Sequence, residues 1–265
     1  MLTTDTVTAE LIKYASNTFL AAKISFINEM ARICQLAGGN VGVVAEGMGL
    51  DKRIGRDFLQ AGVGFGGSCL PKDTVGLLKW AEARGYQPEI LRAALEVNQK
   101  QRSWIVDTVR ESLGIIRGKT VTILGLSFKP NTGDTREAPA MDIIGQLLAE
   151  GAVIRVYDPA VKQDAHPVLS EVVFCRSGYE ALVRANCGIL LTEWEEFKRL
   201  DFYKVKKLMD EYIIIDGRNC LEPQILTDLG FKYYDMGRFQ EKSSPHSGKL
   251  RIKRVFSRKC REILS

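Results

Sequence analysis

The sequence predicts an α/β protein, a helical region followed by a doubly wound, Rossmann-like parallel sheet. Three observations carry this. Apolar residues recur at helical spacing through most of the first 115 residues. From Lys119 onward, β-branched runs alternate with helical stretches, the pattern of parallel strands joined by crossover helices. Hydrophobic residues make up 45% of a 265-residue chain, enough to bury the core of one large domain or two ordinary ones.

Leu11, Tyr14, Phe19, Ala22, Phe26, Met30 and Ile33 mark a long amphipathic helix over 6–37, ended by Gly38-Gly39. A shorter helix over 41–47 and a turn at Gly47–Gly49 follow. Next comes a glycine loop, "GVGFGGSCLPKDT", at 62–74. Proline suits the first turn of a helix, so Pro71 predicts a helix from about Leu70, running to Arg84 and stopped by Gly85. A second long helix spans 88–113, before Gly114. Strands over 120–126 and 152–159 flank a helix over 136–151. Further strands are expected at 171–175, 187–192, 212–216 and 231–235. The expected divisions are thus 1–117, helical; 118–240, the sheet domain; and 241–265, a basic tail.

The formal charge of +5 is concentrated in that tail, which alone carries +6 and leaves the body at −1. The tail reads as a solvated extension rather than a nucleic-acid or membrane patch. No run of eighteen apolar residues occurs and the start of the chain lacks the pattern of a signal peptide, so a membrane span and a secretory route are not expected. The six cysteines are scattered, without CxxC or metal-ligand spacing. They read as reduced thiols of a cytoplasmic protein. With two histidines, both in expected loops, a histidine-based metal site is not expected.

The candidate chemistry centres on Cys69. Gly62, Gly64, Gly66 and Gly67 allow positive φ and close approach of a ligand to the backbone. Cys69 falls at or near the start of the helix that follows. Free N–H groups, the dipole and Lys72 would favour its thiolate there. Asp73, four residues on, could share its face and orient a water. The alternative is a small buried thiol beside a tight loop. Lys13 and Asn17, four apart on the first helix, could stabilise a developing oxyanion; on spacing alone they read equally as a solvated face with Lys13 snorkelling.

The segment 121–159 has the strand–turn–helix–strand order of a dinucleotide-binding unit and ends near Asp158. Its turn is not GxGxxG. Phe128, Lys129 and Pro130 lie in a long loop between Gly125 and Gly133, which does not fit a compact pyrophosphate turn. Phe128, Lys129 and Arg136 suit a nucleotide held by stacking and side-chain cations instead.

Five segments occur in order: "AELIKYASNTFLAAKISFINE", "GMGLDKRIG", "FGGSCLPKD", "LGLSFKPNTGDTRE" and "IIIDGRN". Together they resemble the UDP-glucose/GDP-mannose dehydrogenase family over about 5–240, and GMGLDKRIG leans toward its UDP-glucose members. The resemblance implies oxidation of a sugar C6 alcohol to a carboxylate with two NAD⁺, through a cysteine thiohemiacetal and thioester. It implies that Cys69 is the nucleophile, that Lys13 and Asn17 stabilise oxygen anions, and that Asp73 assists water. By the same resemblance Phe58, Gln60, Phe65, Gly66, Phe128, Lys129 and Arg218 contact the nucleotide sugar, with Lys13 and Asn17. Lys72 and Arg136 then lie against NAD, and Arg53 enters the site of a neighbouring subunit in a dimer or higher oligomer. Gln60 departs from the Lys or Asn that relatives often carry. Family members begin with a GxGxxG cofactor domain that has no counterpart here, so a fragment inactive by itself is expected. The alternatives are a non-catalytic UDP-sugar-binding or dimerising module, and a dehydrogenase of a related nucleotide sugar such as GDP-mannose.

Overall fold

The computed structural model describes residues 2–238; the basic tail at 241–265 lies outside the described residues. Helices alone fill the first part: α1 (Thr6–Ala37), α2 (Val41–Gly49), α3 (Leu70–Glu82) and α4 (Glu89–Leu113). Asp5 caps α1 by accepting from the Thr8 amide at 2.9 Å, and Gly38, at φ 76°, closes it in the left-handed region. Asn40 caps α2. The turn expected at Gly47–Gly49 is still helical, because α2 runs on through Gly49. The α3 helix begins at Leu70 and stops at Glu82, two residues short of the expected end.

Strands begin at Thr120. The order is β1 (Thr120–Leu124), α5 (Pro139–Ala149), β2 (Val153–Tyr157), β3 (Val173–Phe174), α6 (Gly178–Leu182), β4 (Cys187–Leu190), α7 (Glu195–Lys198), α8 (Phe202–Leu208), β5 (Ile213–Asp216), α9 (Pro223–Asp228) and β6 (Lys232–Asp235). The six strands form one sheet in the order β3-β2-β1-β4-β5-β6, and every pairing is parallel. This is the doubly wound arrangement whose switch point lies between β1 and β4. The helix expected over 136–151 is shorter at its start. Glu137 sits at φ 52° and Ala138 is extended, so α5 begins only at Pro139. Each strand is also shorter than its β-branched run, since the ends turn into loops; β3 keeps two residues.

One sheet face packs on α5 and, notably, on α4: Ile105, Val106 and Val109 of α4 share a fully buried cluster with Val121, Ile123, Ile189 and Ile215. The other face packs on α6, α8 and α9 through Leu182, Val205 and Leu226. Thus α4 belongs to both halves. It packs against α1 and α3 on one side and against the sheet domain on the other. That shared helix holds the carboxyl ends of β1, β4 and β5 opposite the glycine loop.

Candidate active site

Between the two halves runs a cleft of about 820 Å³. One wall is the glycine loop, with Phe58, Gln60, Phe65, Gly66 and Cys69. The other comes from loops leaving the carboxyl ends of three strands: Phe128 and Lys129 after β1, Glu193 after β4, and Arg218, Asn219 and Cys220 after β5. A crevice at the carboxyl ends of parallel strands, astride the switch point, is where open α/β sheets bind ligands. Its size suits a small organic ligand.

Cys69 is exposed and stands at the N-cap of α3, with Pro71 in the first helical turn. Asp73 sits one turn in and is completely buried. Its Oδ2 accepts from Lys13 Nζ at 2.8 Å and Asn17 Nδ2 at 2.6 Å. Lys72 Nζ lies 3.0 Å from Oδ1, an ion pair outside hydrogen-bonding angles, so Oδ1 keeps no hydrogen bond. The bond from Lys13 is the main reason the Asp73 carboxyl is held down to about 2; Asn17 and Lys72 add to it against the cost of burial. In turn Asp73, and more weakly Cys69, raise Lys13. The helix-spaced pair of α1 lies on a partly solvated face, with the Lys13 side chain 59% exposed, yet its two donors converge on one buried carboxylate in the helix that Cys69 caps.

The glycines line the cleft, as their spacing suggests, and they also let the two halves of the protein approach closely. A Cβ on Gly62 would lie 2.8 Å from the Gly217 carbonyl oxygen, and one on Gly67 would lie 2.7 Å from the Phe128 ring. Gly64 and Gly66 are blocked in the same way by the Asn98 side chain and the Glu137 carbonyl. Gly64 and Gly67 also hold φ of 98° and 84°. The loop is bare because it is pressed between the two halves of the protein. The Val63 amide donates to Gly217 O at 2.7 Å, and the Gly67 amide to Arg136 O at 3.0 Å.

Arg218 is anchored rather than free. Its Nε donates to Leu191 O at 2.7 Å and its Nη2 to Phe128 O at 3.2 Å, with the Glu193 carboxylate 3.2 Å from Nε. Lys129 Nζ stands 5.4 Å from the Phe128 ring centre. Lys72 and Arg136 do not line the cleft. Arg136 is exposed and pairs with Asp134 at 2.6 Å, which raises its guanidinium, with a lesser contribution from Cys69. Arg53 is exposed and pairs with Asp51 at 2.6 Å, away from the cleft of its own chain.

The sequence reading missed Glu193, Asn219 and Cys220. Asn219 and Cys220 follow Arg218 directly in the quoted "IIIDGRN" run and its next residue, so their motif was visible although their faces were not. Glu193, in "LTEWEEF", had no such neighbour.

Asp158 explains why the sheet domain is not built for a dinucleotide ribose. Its Oδ2 accepts from the Leu126 and Ser127 amides at 2.7 and 3.1 Å and from Trp194 Nε1 at 3.2 Å. Its Oδ1 accepts from the Ala160 and Val161 amides at 2.8 and 3.1 Å. Both oxygens are thus committed to the loops of this domain.

Comparison with known proteins gives two matches to family models. The UDP-glucose/GDP-mannose dehydrogenase family, central domain, matches residues 7–100. The UDP binding domain of the same family matches residues 122–223. A UDP-glucose 6-dehydrogenase of Bacillus subtilis is 46% identical over 239 residues, covering 90% of this chain and 52% of that protein. A UDP-glucose dehydrogenase structure from Pyrobaculum islandicum superposes with a TM-score of 0.78 at 37% identity, covering 88% of this chain and 51% of that one. An NDP-N-acetyl-D-galactosaminuronic acid dehydrogenase from Methanosarcina mazei gives the same TM-score, 0.78, at 31% identity, covering 88% of this chain and 51% of that one. The chain spans about half the length of the curated relatives it matches. Backbone likeness alone does not separate these sugars; identity is higher to the UDP-glucose enzymes.

Proposed function

The chain belongs to the UDP-glucose/GDP-mannose dehydrogenase family, and from that premise we propose that it supplies the nucleophile and the nucleotide-sugar cleft of an NAD-dependent UDP-glucose 6-dehydrogenase. The observation that carries this is a single cleft of about 820 Å³ with Cys69 among its lining and Lys129 and Arg218 in the opposite wall. Such a cavity offers cations to a diphosphate and an exposed thiol to the sugar beyond it. The helical half and the sheet half, 1–117 and 118–240, serve as two domains that form the opposite walls of the substrate site.

The residues divide the chemistry as follows. Phe58, Gln60, Phe65 and Gly66 hold the sugar and diphosphate from one side; Phe128, Lys129 and Arg218 hold the nucleotide from the other. Cys69 Sγ adds to the C6 aldehyde. An S–C bond forms and the carbonyl π pair moves to oxygen, giving a thiohemiacetal oxyanion. Lys13 carries three N–H donors and Asn17 two, so each can hold Asp73 and still reach that oxyanion. At the thioester stage, water forms a C–O bond and loses one O–H proton, the C–S bond breaks, and the electron pair returns to sulfur, which takes up that proton and leaves a carboxylic acid that ionises to solvent. Asp73 Oδ1, ion-paired with Lys72 but without a hydrogen bond, accepts from that water. A carboxyl held at about 2 orients the water more than it removes its proton. NAD, when bound, supplies the hydride acceptor for both oxidations. The described residues fit that cofactor only at its phosphates, through the exposed Lys72 and Arg136.

A second copy of the chain is the proposed partner. Ile12, Phe19, Phe26 and Ile33 lie seven residues apart on α1 and are exposed by 42–67%. They form one stripe opposite the buried Ala21, Ser25 and Asn28, the pattern of a helix that packs against its equivalent. Arg53 would then face the neighbouring cleft. All five described cysteines are free and no described helix is long and apolar enough to cross a membrane, which supports a cytoplasmic setting.

The test is ligand binding by thermal shift and by protection of Cys69 from iodoacetamide. UDP-glucose should stabilise the chain more than GDP-mannose and should shield Cys69. Equal shifts for the two nucleotides would remove the assignment of UDP-glucose as the substrate, and unshielded Cys69 would remove the mechanism.

A further inference from the structure

The nucleophile loop has no regular secondary structure between α2 and α3, yet it is held by side chains from distant elements. The firmest hold is Asn98, in the middle of α4 and 5% exposed. Its Oδ1 accepts from the Phe65 amide at 2.7 Å, and its Nδ2 donates to the Phe65 carbonyl at 3.1 Å. One amide side chain thus satisfies both backbone groups of one loop residue. Gly64, at φ 98°, is glycine at that point because a Cβ would strike the same Asn98 side chain. One turn along α4, Arg102 Nη2 reaches Phe65 O at 3.5 Å and Glu137 O at 3.5 Å, while Nη1 pairs with Asp142 of α5. Asn28 of α1 holds the far end of the loop by accepting from the Gly62 amide at 2.8 Å.

We infer that Asn98 is a positioning residue for the nucleophile: it fixes the backbone of Phe65, and through Gly66, Gly67 and Ser68 it fixes where Cys69 meets the sugar. This deepens the proposed function and rests on it for the identity of the sugar. The chain of causes is short. That buried pair cannot be released without leaving the Phe65 N–H unsatisfied and its carbonyl with only the long 3.5 Å contact from Arg102. Gly66 and Gly67 give the intervening backbone little stiffness of its own. The Gly67 amide is tied to Arg136 O at 3.0 Å and Cys69 O accepts from the Asp73 amide at 2.9 Å, so a loop freed at Phe65 reaches the thiol by strain passed through Gly66, Gly67 and Ser68. Because α4 also packs into the sheet core, Asn98 registers the thiol against the wall that carries Arg218.

The side chain's paired donor and acceptor give a specific test. In Asn98→Ala both are lost. In Asn98→Asp the acceptor stays, but an ionised carboxylate faces the Phe65 carbonyl. Protonation restores an O–H donor beside an acceptor in almost the same shape; burial raises the pH at which it occurs, and the Arg102 guanidinium, which shares the Phe65 carbonyl, lowers it. Three quantities are measured on the whole chain: hydrogen exchange of the Phe65–Cys69 amides, the iodoacetamide rate at Cys69, and affinity for UDP-glucose.

For Asn98→Ala we expect faster exchange confined to that segment, a change in the Cys69 rate, and about tenfold weaker binding, the scale of one lost buried hydrogen bond. For Asn98→Asp the same defects should appear at neutral pH and recede as the pH is lowered, with no such recovery in Asn98→Ala. Should Asn98→Ala not fold, the pH dependence of Asn98→Asp carries the test. Wild-type exchange and Cys69 rates in the variants, or a fall in melting temperature that leaves the loop amides and the thiol unchanged, would overturn the inference. Failure of the wild-type chain to bind UDP-glucose would instead overturn the proposed substrate, while the exchange and alkylation readouts would still decide the role of Asn98.

Discussion

Lys13 Nζ and Asp73 Oδ2 lie 2.8 Å apart, joining α1 to the first turn of α3 around a carboxylate with no solvent exposure. The pair has a definite pH signature. The folded Asp73 carboxyl is held at about 2, below its ordinary 3.8. Its contribution to stability is therefore present above 3.8 and is lost as the pH falls toward 2. Urea midpoints measured down through that window should fall less steeply for Asp73→Asn than for the wild type. Parallel curves would show that the pair is not held as described.

Asp235 gives the opposite sign. At the end of β6 it is buried with neither oxygen hydrogen-bonded, and burial raises its carboxyl to about 6 from 3.8. The folded state binds this proton more tightly than the unfolded chain. Stability from this group is full below 3.8 and is lost as the pH rises through 6. Asp235→Asn should leave stability near its acid value and raise it at neutral pH, by about 1–3 kcal/mol on the scale of such a shift. Chemical denaturation on both sides of the window decides it. A variant less stable at neutral pH would mean that Arg238, 3.7 Å away, outweighs the burial cost.

The described thiols should separate by reactivity. Cys69 is exposed, Cys220 half-buried, and Cys34, Cys175 and Cys187 buried. Burial pushes the Cys34, Cys187 and Cys220 thiols up, which lowers their thiolate fraction. Mass-mapped alkylation of the native chain at neutral pH should label Cys69 at least about tenfold faster than these three. Comparable rates would remove Cys69 as the reactive group.

Gly67→Ala tests the seam between the two halves. The new methyl would meet the Phe128 ring at 2.7 Å on a backbone at φ 84°. Strain from the left-handed conformation alone costs about 1–2 kcal/mol, and displacement of Phe128 should weaken UDP binding beyond what the stability loss explains. Titration calorimetry with UDP, beside a denaturation curve, separates the two effects. Unchanged affinity would show that the ring is not part of the nucleotide site.

Phe19→Asp tests the α1 stripe. Phe19 is 67% exposed, so the charge costs little in a lone chain, whereas an isologous interface would place two carboxylates together. Sedimentation velocity should show a dimer for the wild type and a monomer for the variant, with no change in melting onset at low concentration. A wild-type monomer, or a variant dimer, would contradict the proposed partner.

Much of the fold was legible because its boundaries are written in residues with one dominant preference. Gly38 and Gly114 end helices where they stand, Pro71 announces α3, and the β-branched run at 120–126 contains β1. The start of α5 was also written in the sequence but passed over: Pro139 stands at its first position with Ala138 extended before it, the signal that Pro71 gives for α3. The site was legible where one segment holds several of its parts, as in "FGGSCLPKD". It was opaque where the parts meet from separate elements. Spacing gave Lys13 and Asn17 a shared face but could not reveal that Asp73 lies against it. Asn98 is one polar residue on a long helix, and its partner Phe65 is far away in sequence. The glycines were read as positive φ and room for a ligand, and they do line the cleft; what spacing could not reveal is their close contact with Gly217, Asn98, Glu137 and Phe128.

The commitment of Asp158 has a consequence for anyone wishing to retrofit this crevice. Freeing that carboxylate to grip a diol would strip acceptors from amides at both the β1 and the β2 corners at once. No single exchange there can turn this brace between loops into a coenzyme berth. The long excursion between β1 and α5 would have to be rebuilt first.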